Sequence, residues 1–451
     1  MENYRVVVWD RRKMKVTQKL EAASPYNFFL TTITDSKPTH NDMLSISFPE
    51  LLDPTLGNLE SSLQVNFMVE FGWLLAQYHI MGHRGKPLTL LYGETDMELS
   101  DRFKNFLTHV KVVPPSPFGS HHTKMMVMAY TDGSIRVVVA TANLVESDWD
   151  NRTQGLWMSE KLPKLSDSAD TGSGDSPTNF KRDLIRYLSS YQLPELTSWI
   201  GKLKRADMSK VNVFFIASIP GKHVGVNLTN WGQMALKTTL RDYLTIPKGA
   251  ETYPVIVQTS SIGSLGPKPE SWLLGDMLQT FTAGKKLQPG PVSRPDLKFI
   301  YPSFENVAKS YDGLLGGGCL PYSKKTHSKQ EWLTSFMCQW MSDCRDRTRA
   351  PPHIKTYCRV SPDMSHLSYF LLTSANLSKA AWGSLTCAGS SLNILSYEAG
   401  VLMLPQFVVG EDFFPLKKSE GCDTPIFPMP YDLPTKPYSF SDVPWFFENL
   451  S

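Results

Sequence analysis

The alternation of apolar and polar positions runs the same course twice along the chain. Apolar residues at helical spacing predict a helix over Asn66 to Tyr78. Pro87 to Tyr92 then reads as a short buried strand, and Asp96 to Val110 as a second helix. Phe180, Leu184, Tyr187, Leu188 and Tyr191 fall on one face of a further helix, and Leu196 to Leu203 predicts one more. A new strand over Val211 to Ile216 opens the second half, where the alternation starts again. Interleaved strands and helices predict a mixed α/β sandwich in each half. The Ser-, Asp- and Gly-rich segment from Pro163 to Pro177 predicts a mobile surface loop. It lies inside the first half, because helical spacing resumes after it. The expected organisation is a short basic tail over 1–24, a first domain over 25–208 and a second over 209–451. Gly316-Gly317-Gly318 and Pro321-Tyr322 mark a loop, and the Pro- and aromatic-rich stretch from Phe427 to Phe447 predicts an irregular surface tail.

The repetition extends to candidate chemistry. His122-Thr123-Lys124 and His353-Ile354-Lys355 each precede an apolar run that ends in Ala-Asn-Leu, at Asn143 and Asn376. The His-to-Asn distance is 21 residues in the first copy and 23 in the second. One His-x-Lys alone says little, since about one arises by chance in a chain of this size. Two copies with matched Asn residues point to two similar halves that face each other. In an extended chain, His122 and Lys124 share a face, as do His353 and Lys355, while His121 points the opposite way and reads as structural. A set of His, Lys and Asn is a poor metal site. It suits a phosphate: the Lys supply charge, the Asn supply donors, and the His supply a nucleophile and an acid.

These elements resemble the phospholipase D superfamily, and within it the tyrosyl-DNA phosphodiesterase family. The matching stretches include His121 to Met126, Asp148-Trp149, Thr153-Gln154-Gly155, Ser260 to Gly266, Phe299 to Ser303, His353 to Tyr357 and Thr373 to Gly383. Ordinary phospholipase D motifs carry an Asp a few residues after the Lys. Ala129 and Val360 stand there instead, as in the tyrosyl-DNA subfamily.

The resemblance implies two phospholipase D-like α/β sandwich domains related by a pseudo-two-fold axis, with one shared active site. It implies His122 as nucleophile, forming a phosphohistidine, and His353 as general acid and then base. The symmetry of the residues does not itself say which His attacks. Lys124, Lys355, Asn143 and Asn376 would hold the non-bridging oxygens. Gln154 and Glu398 would orient the histidines across the halves, Glu398 on His122 and Gln154 on His353. Phe118, Ser260, Ser261, Ser264, Pro321, Tyr322 and Trp445 are expected along the DNA groove. No metal or other cofactor is implied. The implied substrate is DNA with a blocked 3′ end, above all one carrying a peptide remnant of topoisomerase I. A phospholipase D-type lipid phosphodiesterase is the alternative, opposed by the missing Asp residues and by the lack of a membrane-binding segment.

Composition limits these readings only loosely. A net charge of +3 over 451 residues requires any nucleic-acid contact to come from a local basic groove. Lys324, Lys325 and Lys329 offer either such an edge or a solvated face. No apolar run approaches membrane-spanning length, and no signal-peptide pattern is seen. The six Cys form no Cys-x-x-Cys and read as reduced thiols. Arg11-Arg12-Lys13-Met14-Lys15 reads either as a short nuclear-import signal or as a solvated tail. The expected location is the nucleus, with the cytoplasm as a second one, and the expected state is a monomer.

Overall fold

The computed structural model describes residues 15–98, 103–170, 172–247, 249–286, 294–418, 421 and 423–450. Most of the candidate import signal lies outside these residues. Two large mixed sheets pack face to face, one from each half. The first contains β1 (Phe28–Thr31), β2 (Ser45–Ile46), β3 (Leu59–Val69), β4 (Leu88–Thr95), β5 (Leu107–Lys111), β6 (Met125–Tyr130), β7 (Ile135–Ala140) and β8 (Gly155–Met158). Their order is β2-β1-β8-β7-β6-β3-β4-β5.

The second sheet repeats seven of these strands. Met337–Cys338, Leu297–Ile300, Val255–Gln258, Thr356–Val360, His366–Thr373, Glu398–Met403 and Phe214–Ser218 follow one another across it. They match β5, β4, β3, β6, β7, β8 and β1 in order. Directions match too: two parallel pairings, then four antiparallel ones. The pseudo-two-fold relation is therefore visible strand by strand.

Period-two alternation sends side chains to two cores. Met125, Val127 and Ala129 of β6 point into the core between the sheets, with Cys358, Phe370 and Val401 of the other half. Met126, Met128 and Tyr130 point the other way, towards the helix Phe71–Ile80. Tyr357 and Leu371 likewise face the outer core of the second half. Central strands buried on both faces explain the unbroken apolar runs in the sequence.

Several expectations change. Residues 66–69 finish β3, and the helix begins only at Phe71. Asn66 pairs with Tyr92 and Val69 with Thr95, so sheet pairing overrides a spacing that fits both periods. Leu107–Lys111 is a strand, drawn into parallel pairing at the edge of β4. The helices Phe180–Ser189 and Thr197–Lys204 stand where the spacing places them. The strand expected at Val211 starts at Phe214. The 427–447 tail is irregular, but Phe427, Met429, Tyr431 and Trp445 are buried in the core. Gly313–Cys319 forms a 3-10 helix where a loop is expected. Lys324–His327 is one helical turn whose lysines are exposed. Cys319, Cys338, Cys344, Cys358 and Cys387 are free thiols. Among the described residues, no helix is long and apolar enough to cross a membrane.

Candidate active site

Each His-x-Lys is extended chain that runs directly into a central strand, and each is stitched to the other half. Tyr397 N donates to Ser120 O at 2.9 Å, and His122 N donates to Tyr397 O at 3.0 Å. The second copy repeats this: Thr153 N donates to Pro351 O at 3.0 Å, and His353 N to Thr153 O at 2.9 Å. These backbone pairs set each His beside the residue that follows Tyr397 or Thr153. That residue is Glu398 in one case and Gln154 in the other.

Side-chain contacts follow from this placement. His122 Nδ1 lies 3.0 Å from Glu398 Oε2. Ser374 Oγ donates to the same carboxylate oxygen, and Ala399 N donates to Ser374 Oγ at 3.0 Å. Gln154 Nε2 lies 2.9 Å from His353 Nδ1. Thr141 Oγ1 donates to Gln154 Oε1 at 2.8 Å and accepts from Gly155 N at 3.0 Å. Thr141 and Ser374 each stand two residues before the motif Asn, so the repeat extends to the residues behind the orienting groups.

One residue breaks the symmetry. Asp148 Oδ2 lies 3.1 Å from His353 Nδ1 and accepts from Asn143 N at 2.6 Å. His353 therefore faces a carboxylate as well as the expected amide. The sequence signal was present in Asp148-Trp149, five residues after Asn143, but the matching position after Asn376 is Ala381. A search by repeat passes over an acid that occurs in only one copy.

Lys124 and Lys355 are fully buried, and each Nζ donates to the carbonyl of its own motif His. Lys124 Nζ also stands 5.3 Å over the Phe67 ring. Asn376 Oδ1 accepts from Ser260 N at 3.1 Å, Ser260 Oγ at 3.2 Å and Ser261 N at 3.0 Å. Its Nδ2 is thereby left to donate elsewhere. Asn143 Oδ1 accepts from Met68 N at 3.4 Å. His122, His353, Asn143 and Asn376 line a common cleft of about 670 Å³.

Burial dominates the electrostatics. It lowers the pKa of His122 against the pull of Glu398, and takes His353 down to about 4 against the pull of Asp148. It lowers Lys355 to about 8, and burial together with Lys355 brings Lys124 well below the usual lysine range. Burial works to raise Asp148 and Glu398, but the facing imidazoles and lysines hold both below the ordinary carboxylate range. Desolvated cations gain most from an arriving anion. The two lysines also lower one another's affinity for a proton, and an anionic phosphodiester beside them would favour their charged forms.

The expected groove residues divide. Ser260 and Pro321 line the cleft, Ser261 is half-buried beside it, and Ser264 is exposed. Phe118 is 82% exposed. Tyr322 and Trp445 do not line a groove. Both are fully buried in the outer core of the second half, where Tyr322 OH meets His327 Nδ1 at 3.1 Å and the Trp445 ring stacks on Phe304 at 6.0 Å. Rings of this size contribute most where water is excluded on all sides. The cleft has further walls that sequence reasoning missed, among them Met68, Val145, Asp312 and Leu315. Arg152 pairs with Asp312 across the halves and donates to Leu315 O at 3.1 Å. Met68 stands where the repeat places Ser261 in the other half, since each backbone N donates to its motif Asn Oδ1, but the two side chains are unlike and the repeat does not show in the residue type.

Comparison with known proteins agrees with this architecture. The tyrosyl-DNA phosphodiesterase family model matches residues 27–439. A Drosophila melanogaster protein named tyrosyl-DNA phosphodiesterase 1 is 48% identical over 446 residues, covering 96% of this chain and 76% of its own. The Arabidopsis thaliana protein of the same name is 33% identical over 475 residues, covering 93% and 74%. The crystal structure of the yeast tyrosyl-DNA phosphodiesterase shares the fold, with a TM-score of 0.71 at 21% identity over 93% of this chain and 99% of its own. With a family model spanning nearly all of its length, the chain belongs to the tyrosyl-DNA phosphodiesterase family.

Proposed function

We propose that this chain is a DNA-repair phosphodiesterase that clears 3′-blocked DNA ends, hydrolysing the 3′-phosphotyrosyl bond left by a trapped topoisomerase I peptide. The observation that carries the reading is the opposed pair of histidines. Each is oriented from the other half, and both line one cleft backed by two buried lysines. The unequal partners of the two rings support unequal roles. Glu398 accepts only, so it favours His122 with its proton on Nδ1 and a lone pair on Nε2, the form that attacks phosphorus. His353 Nδ1 faces both Gln154 and Asp148, and Asp148 is the largest upward pull on a pKa that burial takes down to about 4, which supports a ring that gains and loses a proton.

In the first displacement a bond forms between His122 and phosphorus. The bond from phosphorus to the tyrosine oxygen breaks, and that oxygen takes a proton from His353. Water then attacks phosphorus while losing a proton to His353. The phosphorus–nitrogen bond breaks, leaving a DNA 3′-phosphate. Lys124, Lys355, Asn143 and Asn376 stabilise the charge that grows on the non-bridging oxygens. Ser260, Ser261, Ser264, Pro321 and Phe118 belong to the strand-binding side. The protein acts in the nucleus as a monomer, with its halves meeting near Met208. The test is a labelled oligonucleotide with a 3′-phosphotyrosine: the intact chain converts it to a 3′-phosphate product, and His122→Ala does not. Cleavage of phosphatidylcholine without action on the oligonucleotide would overturn the reading.

A further inference from the structure

The two histidines differ in what stands behind them. His353 is flanked by Pro352 and Ile354, whose side chains carry no hydrogen-bonding atoms. His122 is flanked by His121 and Thr123, both buried. These flanking residues are the two ends of one chain of polar contacts. His121 Nε2 lies 2.9 Å from Tyr191 OH, and Tyr191 OH lies 2.7 Å from Tyr187 OH. Tyr187 OH in turn bonds Thr123 Oγ1. Tyr187 belongs to the helix Phe180–Ser189, and Tyr191 follows four residues later, on the same side.

The same rings grip the stitch between the halves. Tyr191 stacks on Tyr397 with centroids 4.6 Å apart and planes 9° apart. His121 meets both rings edge-on, each at 5.6 Å. Tyr397 is the residue whose carbonyl takes His122 N and whose neighbour is Glu398. Ser396, one residue earlier, accepts from Ser120 N at 3.1 Å. Burial takes His121 down to about 3 and raises both phenols, so all members stay neutral near pH 7. Among the described residues His121 Nδ1 has no hydrogen-bond partner, but the buried run of neutral hydrogen bonds from His121 Nε2 to Thr123 Oγ1 is stiff, because opening any link leaves a hydroxyl unpaired in a low dielectric.

We infer that His121, Thr123, Tyr187 and Tyr191 form a frame that holds the His122 imidazole in line for attack. The inference rests on His122 being the nucleophile under the proposed function. These are positioning residues: they lie behind the motif strand and act through His122 and Tyr397. The frame has no counterpart at His353, whose ring has to exchange a proton in both displacements and not form a bond to phosphorus.

The consequence is a split between rate and binding. A nucleophile displaced by about 1 Å loses on the order of 100-fold in rate. Partial loosening of the frame should therefore lower kcat by about tenfold, with KM held within about twofold. The test uses the full chain and a 3′-phosphotyrosyl oligonucleotide in single turnover. Tyr187→Phe and Thr123→Val each remove one hydroxyl, and each should slow adduct formation. Thr123→Ser keeps the hydroxyl and should restore the rate. The double variant Thr123→Val, Tyr187→Phe should be no slower than the worse single one, because one break already opens the loop. If Tyr187→Phe does not fold, Tyr191→Phe removes the central hydroxyl instead. A readout without substrate is the ¹⁵N spectrum of labelled histidines, in which the His122 signals should shift or broaden in the variants. It tests the frame even if the wild-type chain proves inactive on the oligonucleotide, which would instead sink the proposed function. The frame is refuted if the variants lose thermal stability while kcat and the His122 signals stay unchanged, or if Thr123→Ser is as slow as Thr123→Val.

Discussion

Asp148 Oδ2 lies 3.1 Å from Nδ1 of His353, and the same oxygen holds the backbone of Asn143. This contact ties one catalytic candidate to one phosphate-binding candidate through a residue that occurs in only one half. Burial drives the His353 pKa down to about 4, and Asp148 is the largest force pulling it back up. Asp148→Asn removes that pull but keeps an oxygen for Asn143 N. The His353 pKa should fall further, so less imidazolium is available to protonate the leaving group. We expect kcat to drop by about 10- to 100-fold, since a general acid is worth roughly 10²–10⁴. The loss should be larger for an alkyl alcohol than for tyrosine, because the phenol leaves more easily. Equal losses for both leaving groups would show that Asp148 serves only the Asn143 loop.

His353→Asn should separate the two displacements. Tyrosine, with a phenol pKa near 10, partly tolerates loss of its acid. Water attack on the phosphohistidine needs a base and does not. The covalent protein–DNA adduct should accumulate as a slow band on a denaturing gel, and disappear when His122→Ala is added. An adduct that forms in His122→Ala alone would reverse the two roles.

Lys355 predicts the alkaline limb of the pH profile. Its pKa is lowered from 10.5 to about 8, chiefly by burial. The cation that meets phosphate is lost as pH rises through that value. For the free enzyme, kcat/KM should bend near pH 8 and then fall about tenfold per pH unit. Stability should move the other way. Between about pH 8 and 10.5 the unfolded chain binds more protons at this lysine than the folded one, so its contribution to stability rises with pH. A kcat/KM that stays flat to pH 10 would show that Lys355 remains charged in the free enzyme.

Activity should not depend on a divalent metal. The groups aimed at the substrate are imidazoles, ammonium groups and amides, and two buried cations repel a third. Turnover of the 3′-phosphotyrosyl oligonucleotide should be unchanged in excess EDTA. Loss of activity that magnesium restores would refute this.

The two-fold repeat and the placement of both His-x-Lys motifs were legible because they are periodic. Apolar runs such as Val137 to Ala140 and Tyr369 to Leu372 can persist only where a strand is buried on both faces, and the pair of Ala-Asn-Leu ends marks the repeat. What occurs once was not legible in that way. Asn66 to Val69 fits a helix by spacing and joins β3 because β4 is there to pair with it. Tyr322 and Trp445 are aromatic near a glycine-rich loop, which suits a groove or a core equally, and burial is a property of what packs around them. Asp148, Asp312 and Tyr191 gain their roles from residues far along the chain, across contacts that folding alone creates. The sequence by itself determined the repeat and the chemical identity of the site. Only the tertiary structure decided how the two copies become unequal, because partners such as Asp148 for His353 and Tyr191 for His121 are set by packing and not by position along either half.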